Sequence, residues 1–272
     1  MGKAFTVASW NIHAGIDGWG RTFDVSLAIA DLDADFTVLV EAFEPDQGLA
    51  FMETLGQALA EEHYFCALGS GRRQGPDPRA GRRWMTRHRL RPFAHGLYLD
   101  GALPLPEKIQ ERELFQKAQP GQLGIGLLSR YPLSHVEEFT LGRLPRDRIN
   151  RKVLVASVTM PDGPVRFVAV HMTHLSYGSP RHYRALSRYL KETASETPTV
   201  LLGDFNLWGW PVLGFLRGYR RAVKGRTWPA WRPHSQIDHL LMDEKLEVIS
   251  ATVVGDRGSD HRAILATVRL PS

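Results

Sequence analysis

The chain has 272 residues, 43% of them apolar and 23% charged, which is close to the average for globular proteins and excludes extensive disorder. Lysine and arginine outnumber aspartate and glutamate by 34 to 29, and a net charge of +5 favours polyanionic ligands. The single cysteine, Cys66, excludes an intramolecular disulfide, and we expect it to be a small buried residue. No apolar run reaches the roughly 18 residues of a membrane-spanning helix and no targeting segment is evident, so we expect a cytoplasmic protein.

Short runs rich in β-branched residues recur along the chain, and several alternate apolar and polar residues with the period of two that is typical of strands. The predicted strands are 5–10, 36–40, 125–129, 153–159, 165–170, 200–202, 237–242, 248–254 and 263–268. Apolar residues at three- and four-residue spacing predict helices over 25–32, 52–59 and 179–190, the last with Ser179 as N-cap and Pro180 as first helical residue. Since no linker or repeat interrupts this pattern, we expect one α/β domain over residues 1–272, built on two stacked sheets.

Two segments are strongly basic. Residues 70–93 contain eight arginines and the single acid Asp77, and we expect a solvated loop. Residues 217–232 interleave five arginines and one lysine with aromatic residues. This second segment is either another solvated loop or a cationic rim that holds phosphates and stacks bases or contacts lipid. The tryptophans near this rim, for which simple packing is the alternative, are Trp208, Trp210, Trp228 and Trp231.

Polar residues recur where the apolar strands stop, and residues at strand ends of one sheet system can converge on a single edge. They are Asn11, Glu41, His171, His174, Asp204, Asn206, Asp238, His239, Asp260 and His261. Because carboxylates repel one another at close range, their convergence indicates a bound hard cation. Carboxylate and amide oxygens without thiolates favour Mg²⁺, which Mn²⁺ can replace. An imidazole beside a carboxylate is suited to acid–base chemistry near pH 7.

Seven segments in order carry a more specific signal. They are WNIHAG at 10–15, VEAF at 40–43, LLSRYPL at 127–133, VHMTHLS at 170–176, LLGDFN at 201–206, SQIDHLLM at 235–242 and GSDHRAI at 258–264. In order and spacing the chain resembles the endonuclease/exonuclease/phosphatase superfamily, whose fold is DNase I-like. The resemblance implies a four-layer α/β sandwich, with two mixed, mostly antiparallel sheets packed face to face and helices outside. It also implies a Mg²⁺-dependent phosphodiesterase, nuclease or phosphatase.

The resemblance assigns the metal ligands and the catalytic imidazole. Glu41 is the principal metal carboxylate, with Asn11 and Asp260 beside it. His261 is the catalytic imidazole, and Asp238 orients it. These roles fit in-line attack on phosphorus, which needs a cation on a phosphate oxygen and donors around the developing charge.

The same resemblance assigns the groups around the water and the phosphate. Asp204 orients or deprotonates the attacking water, and Asn206 holds a phosphate oxygen. His174 contacts the phosphate opposite the catalytic imidazole, with His171 as the rival for that role. Arg151 is either a cation that faces the phosphate or a surface residue.

The substrate class stays open at this stage. The expected partner is a phosphate ester, which includes nucleic acid and an anionic phospholipid head group. The alternative function is a non-catalytic nucleic-acid-binding or scaffold protein on the same fold. Such a protein is expected to have lost several site residues, whereas this chain has all of those named above.

Overall fold

The computed structural model describes residues 2–17, 21–74, 96–101, 105, 107–111, 113–160, 162–174 and 179–270, so most of the basic segment 70–93 lies outside the described residues. The strands are β1 (Ala4–Asn11), β2 (Phe36–Pro45), β3 (Glu62–Arg73), β4 (Leu97–Leu99), β5 (Gln119–Ser129), β6 (Leu133–Gly142), β7 (Arg151–Met160), β8 (Gly163–His171), β9 (Thr199–Asp204), β10 (Tyr219–Arg221), β11 (Asp238–Asp243), β12 (Glu247–Val253) and β13 (Ile264–Arg269). The helices are α1 (Val25–Ala30), α2 (Phe51–Leu59), α3 (Glu107–Gln110), α4 (Glu113–Gln116), α5 (Pro180–Glu192) and α6 (Val212–Phe215). None of these helices combines the length and the apolar composition needed to cross a membrane.

The strands form two mixed sheets. The first has the order β12-β13-β1-β2-β5-β3-β4, and the second has the order β10-β11-β9-β8-β7-β6. The pairs β1–β2 and β8–β9 are parallel, and the other described pairs are antiparallel. Each sheet therefore has two neighbouring strands whose carboxyl ends lie at the same edge, and these edges carry the polar residues considered below.

The two sheets pack face to face around the main core. The rings of Phe36 in the first sheet and Phe167 in the second are stacked with their centroids 3.8 Å apart. The outer face of the first sheet packs against α1 and α2, and the outer face of the second packs against α5 and α6. Burying the apolar faces of both sheets in this way requires four layers. The expected four-layer α/β sandwich is confirmed.

The predicted elements are present with small shifts of their ends. All nine predicted strands overlap observed ones, and the three predicted helices correspond to α1, α2 and α5. Cys66 is fully buried with a free thiol, as expected, and burial raises its pKa to about 12. Ser179 stands at the N-cap of α5 and Pro180 begins the helix, as predicted, but Ser179 has helical backbone angles and its side chain makes no capping hydrogen bond.

A glycine lets the two parallel strands of the second sheet approach each other just before the site. Gly203 has a φ of +137°, and a Cβ atom there would lie 2.0 Å from the carbonyl oxygen of Val170. Only glycine fits this contact, because any side chain would collide with backbone. The close approach fixes the ends of β8 and β9 side by side.

Candidate active site

Three polar residues form one row across the end of the second sheet. β8 ends at His171, β9 ends at Asp204 and β11 begins at Asp238. His171 pairs in register with Asp204, and Asp204 pairs in register with Asp238. Because residues in register on neighbouring strands point to the same side of the sheet, these side chains are neighbours. All three are buried.

His261 joins this row from the first sheet. Its carbonyl oxygen accepts a hydrogen bond of 2.9 Å from the indole nitrogen of Trp10, which fixes the segment before β13. Its ring Nδ1 lies 2.9 Å from Oδ2 and 3.1 Å from Oδ1 of Asp238. Burial alone lowers the pKa of an imidazole, but the carboxylates of Asp238, Asp260 and Asp204 outweigh it here. They raise the pKa of His261 well above its usual value, so the ring is a charged donor at neutral pH.

Asp204 is the most perturbed carboxylate of the site. Its Oδ1 accepts a hydrogen bond of 2.8 Å from the backbone nitrogen of Asn206, and its Oδ2 accepts one of 3.2 Å from Nδ2 of Asn11. Burial raises the pKa of Asp204 to about 7, and the negative charges of Asp238 and Glu41 act in the same direction. A carboxyl group with this pKa exchanges a proton at neutral pH, which is what a general base requires.

Glu41 occupies an irregular point in the first sheet. The register of β2 against β5 shifts between Val40 and Ala42, so Glu41 is the extra residue of a β-bulge. Its φ of 57° lies in the left-handed region, which residues other than glycine and asparagine rarely adopt. The bulge removes Glu41 from the regular ladder, and its Oε1 lies 3.5 Å from Nε2 of His171. Strained backbone of this kind is concentrated at functional sites.

Asn11 connects Asp260 to the rest of the site. Asn11 ends β1, and its backbone carbonyl accepts a hydrogen bond of 2.7 Å from the hydroxyl of Ser259. The next residue, Asp260, places its Oδ1 3.8 Å from Nδ1 of His13. The contacts therefore run without a break from His13 and Asp260 through Asn11 to Asp204.

The structure distinguishes the positions of the two candidate histidines that follow β8. His171 is fully buried, with its Nε2 3.5 Å from Glu41 and 3.9 Å from Oδ2 of Asp204. Burial, Arg151 and His261 all lower the pKa of His171 well below its usual value, so its ring is neutral. His174 has an exposed side chain. The described contacts thus bring His171, the rival candidate, into the acidic cluster, whereas the role of His174 in phosphate contact stays a prediction.

Arg151 is not the surface residue that one of its two predictions described. It is buried, and its guanidinium is paired with Asp147, with Nε–Oδ2 and Nη2–Oδ1 distances of 2.7 Å and 3.1 Å. Its Nη1 donates to the backbone carbonyl of His171 at 3.0 Å. The surface interpretation is wrong, and these internal partners argue against a direct contact with phosphate, because they already occupy the guanidinium. Through its hydrogen bond to the backbone carbonyl, Arg151 instead fixes the position of His171.

A buried polar network extends from this ion pair to α5. Thr173 donates its hydroxyl to Oδ2 of Asp147 at 2.7 Å, and the same hydroxyl lies 2.8 Å from Nδ1 of His182. The hydrogen bonds from Arg151 outweigh the effect of burial and keep the pKa of Asp147 below its usual value. The network satisfies nearly all of its buried groups, which makes it rigid.

Sequence reasoning missed His13 and the members of this network other than Arg151. His13 and Thr173 were within reach, because they lie in the segments WNIHAG and VHMTHLS that carry the resemblance. Asp147 and His182 carry no such signal. Asp147 lies in the polar loop before β7 and His182 in the amphipathic helix α5, and only the tertiary fold brings the two together.

Asn206 lies two residues after Asp204, and none of the four candidate tryptophans is fully buried. Asn206 has a φ of 50°, and its Nδ2 donates to the carbonyl of Met172 at 2.9 Å, which leaves its second amide hydrogen for a ligand. Trp208 and Trp210 are 54% and 75% exposed, so the simple packing interpretation is wrong for them. The half-buried Trp228 has its ring centroid 6.5 Å from that of His261.

The segment 217–232 is more ordered than a solvated loop. Residues Tyr219–Arg221 form the edge strand β10, paired with β11. Arg220 donates to the carbonyl of Leu246, and Arg221 donates to Oε1 of Gln236. These two arginines are therefore used within the protein, which makes them poor candidates for a cationic rim.

The donors of the site fit a hard divalent cation. Asp204, Asp238 and His261 bring two carboxylate oxygens and a ring nitrogen within 4.8 Å of one another. Because the ring of His261 is charged, the carboxylate oxygens are the groups available to a cation. Glu41, Asn11 and Asp260 add oxygen donors through the contacts described above. The four carboxylates Glu41, Asp204, Asp238 and Asp260 face the charged ring of His261 and the neutral ring of His171, so negative charge is in excess. A divalent cation relieves such an excess, and an all-oxygen set at Glu41 suits it chemically.

The family assignment follows from comparison with known proteins. A sequence model of the Endonuclease/Exonuclease/phosphatase family matches residues 8–261, so the chain belongs to this family. Members are hydrolases that act on phosphate esters; the family includes phosphatases and nucleases and is generally dependent on divalent metals. No curated protein sequence matches the chain.

Solved structures with the same fold are distant in sequence. An endonuclease/exonuclease/phosphatase from Beutenbergia cavernae DSM 12333 is 19% identical with a TM-score of 0.66, and the match covers 99% of this chain and 72% of that one. A mannosyl-6-phosphatase from Bacteroides thetaiotaomicron VPI-5482 is 15% identical with a TM-score of 0.62, over 97% and 99% of the two chains. Humanized D. rerio TDP2 is 14% identical with a TM-score of 0.59, over 98% and 99%. At these identities the comparisons establish the shared DNase I-like fold.

Proposed function

We propose that the protein hydrolyses phosphate esters by in-line attack of a water molecule, with help from a divalent cation, Mg²⁺ or Mn²⁺. The observation that carries this proposal is the buried cluster of Asp204, Asp238 and His261, in which one carboxyl titrates near pH 7 beside a charged imidazole. A base and a cationic donor a few ångströms apart are the two groups that hydrolysis of an ester requires.

Asp204 acts as the base in this proposal. Its pKa of about 7 lets the carboxylate accept a proton from a water molecule at neutral pH. The Asn11 and Asn206 hydrogen bonds hold the carboxylate in one orientation, so the water it binds is fixed as well. The second amide hydrogen of Asn206 donates to a phosphate oxygen beside that water.

His261 neutralises charge on the phosphate. Its Nδ1 is bound to Asp238, so its Nε2–H is the group available to the substrate. The proton on Nε2 stabilises the negative charge that develops on the phosphate oxygens during attack. His171, held neutral by burial and by Arg151, donates or accepts a hydrogen bond opposite His261 without adding charge.

Glu41, with Asn11 and Asp260, would hold the cation. A bound Mg²⁺ supplies Lewis-acid stabilisation of a phosphate oxygen and of the leaving group. The strained bulge at Glu41 places a carboxylate where a regular strand would not. The donor set contains oxygens and no thiolate, which is why we favour Mg²⁺ over zinc.

Turnover of bis-p-nitrophenyl phosphate and p-nitrophenyl phosphate tests the proposal. We expect hydrolysis of one or both in Mg²⁺ or Mn²⁺, loss of activity in excess EDTA and recovery when the metal is restored. Glu41→Gln should raise the metal concentration needed for half-maximal activity, because it removes a charged ligand and keeps the shape of the side chain. Turnover that is unchanged in EDTA contradicts the proposal. A complete lack of turnover on both esters would favour the non-catalytic alternative.

A further inference from the structure

A basic groove lies on the outer side of the second sheet, away from the catalytic cluster. Its volume is about 510 Å³, and it runs between α5 and the turn that follows α6. The basic groove is lined by Arg184, Arg188, Lys191, Phe215 and Arg217, together with smaller residues. Among the residues that the structure describes, no carboxylate lines it, and Asp243 borders an adjoining cavity of about 220 Å³ beyond Lys191.

The cations of the groove are regularly spaced and are not paired within the described part of the chain. Arg184, Arg188 and Lys191 follow one another at four and three residues on the exposed face of α5. Seven residues of helix span on the order of 10 Å, so the row has the length of several atoms of a chain rather than of one small anion. None of these three or Arg217 forms an ion pair with a described carboxylate.

One short segment connects the catalytic cluster to the groove. β9 ends at Asp204, and the chain then passes through Trp208 and Trp210 before α6 places Phe215 in the groove wall. The two indoles are 54% and 75% exposed, although large apolar rings are normally buried. Phe215 stacks on Tyr183 of α5 at 4.9 Å between ring centroids, and Tyr183 donates its hydroxyl to the carbonyl of Phe205. The groove wall is thus fastened directly to the catalytic strand.

We propose that the basic groove binds the sugar–phosphate backbone of a single-stranded nucleic acid, with unpaired bases stacked on Trp208 and Trp210. That this strand is also the substrate rests on the proposed function. Proteins hold single strands without reading their sequence by combining cations that follow the backbone with exposed aromatic rings that stack on the bases. Here the groove supplies the cations, and the segment that leads from Asp204 to Phe215 in its wall supplies the rings.

Other occupants fit the groove less well. A duplex keeps its bases stacked inside and offers none to the indoles. A planar bilayer cannot enter a concave groove whose cations line the walls. One small phosphate ester would contact only part of a row that is about 10 Å long. A single strand uses the cations and the rings together.

Fluorescence anisotropy of a fluorescein-labelled oligothymidylate of about 20 nucleotides, long enough for a typical single-strand site, tests the proposal. The measurement is made on the full chain in EDTA over a range of salt. The groove variant combines Arg184→Gln, Arg188→Gln and Lys191→Gln. We expect its affinity to fall about tenfold or more and the slope of log K against log salt to become shallower by about 2, since each phosphate contact contributes roughly 0.7 for single strands.

A matched control variant also removes three positive charges, at the end of the first sheet that lies away from the catalytic cluster. It combines Lys3→Gln, Arg130→Gln and Arg269→Gln, which lie beside the ends of β1, β5 and β13 remote from Asn11 and Glu41. We expect this variant to keep the wild-type slope. Trp208→Ala with Trp210→Ala should weaken binding about fivefold or more and leave the slope unchanged, because stacking releases no counterions.

The outcomes separate the groove from the catalytic proposal. The groove variant should keep wild-type turnover of bis-p-nitrophenyl phosphate, which is too small to reach α5. If the wild type has no turnover on any ester, the proposed function fails while the binding measurements still test the groove. Equal slopes for the groove and control variants overturn the groove proposal. Binding of a duplex of the same length as tight as that of the single strand also overturns it. So does a groove variant that no longer binds phosphatidylserine vesicles but still binds the oligonucleotide.

Discussion

His261 and His171 are both buried in the same site, but the ring of His261 is charged and that of His171 is neutral. His261 lies 2.9 Å from Asp238, and the surrounding carboxylates raise its pKa well above the usual value. His171 lies 3.5 Å from Glu41, with Arg151 beneath it, and its pKa is well below the usual value. Burial lowers the pKa of both, so the difference comes from the carboxylates of Asp238, Asp260 and Asp204 around His261 and from the positive charges of Arg151 and His261 beside His171.

In the proposed mechanism, this difference divides the chemistry between the two sheets. The first sheet contributes a charged donor at His261, and the second contributes a neutral ring at His171. Two charged imidazoles would bind a phosphate group more tightly before reaction as well as during it, and uniform binding of this kind does not accelerate the chemical step. One charged and one neutral ring allow the charge to act at a single position.

The largest expected effect follows from removal of the charged ring. We expect His261→Ala to lower kcat by about a hundredfold or more, because the donor to the phosphate is lost. Turnover of bis-p-nitrophenyl phosphate measures the effect, and thermal melting checks that the fold is retained. His135→Ala on the exposed strand β6 is the matched control and should keep wild-type kcat. A kcat within tenfold of the wild type would contradict the role of His261.

A smaller effect is expected when the guanidinium of Arg151, which donates to the backbone carbonyl of His171, is removed. Arg151→Met leaves Asp147 buried without its partner, and loss of one member of a buried pair typically costs about 3 kcal/mol or more of unfolding free energy. It also removes a positive charge beside His171, so the pKa of His171 should rise. Urea unfolding and NMR titration of the imidazole measure the two effects.

The double variant Asp147→Asn, Arg151→Met is the control for this experiment. It removes the uncompensated carboxylate and should recover part of the lost stability. The pKa of His171 should stay raised in the double variant, because the guanidinium is absent in both. An unchanged pKa of His171 would mean that burial alone accounts for its neutral state.

His239 isolates the effect of burial and has the smallest expected consequence. It is buried on the outer face of β11 with Nε2 2.9 Å from the carbonyl of Leu207, and burial lowers its pKa from 6.5 to about 4. Below pH 6.5 the unfolded chain takes up a proton that the folded chain refuses until about pH 4. Stability is therefore lost as pH falls through this window, by about 3 kcal/mol in all. His239→Gln should flatten that dependence in urea unfolding, whereas His135→Gln should leave it unchanged.

Much of the fold and the acidic cluster could be predicted from the sequence, because both depend on local patterns. Runs of β-branched residues indicate buried strands. Asp204 and Asp238 are easily recognised because they are polar residues at the ends of such runs. Four strands escaped prediction: the three-residue strands β4 and β10, and the longer strands β3 and β6. β6 is an edge strand with residues such as Glu137 and Glu138 on exposed positions, and β3 contains Gly69 and Gly71, which lower strand propensity. Pairing with neighbouring strands compensates for these residues, and pairing is not visible locally.

The orientation of polar side chains was the harder part. Strand parity alone did not decide between His171 and His174, because the chain leaves β8 between them. Arg151 is paired with Asp147, four residues earlier in the chain, and Thr173 donates to the same carboxylate. The sequence shows that an acid lies near the arginine, but it does not show that Thr173 and the carbonyl of His171 reach the same pair.

The backbone at Glu41 carries a consequence for evolution and for engineering. Its left-handed φ of 57° suits asparagine or glycine better than glutamate, and such strain typically costs about 1 kcal/mol or more. Selection for thermal robustness alone should therefore replace this glutamate and discard the carboxylate. Variants of this protein whose melting temperature is raised by a substitution at position 41 should therefore be inactive.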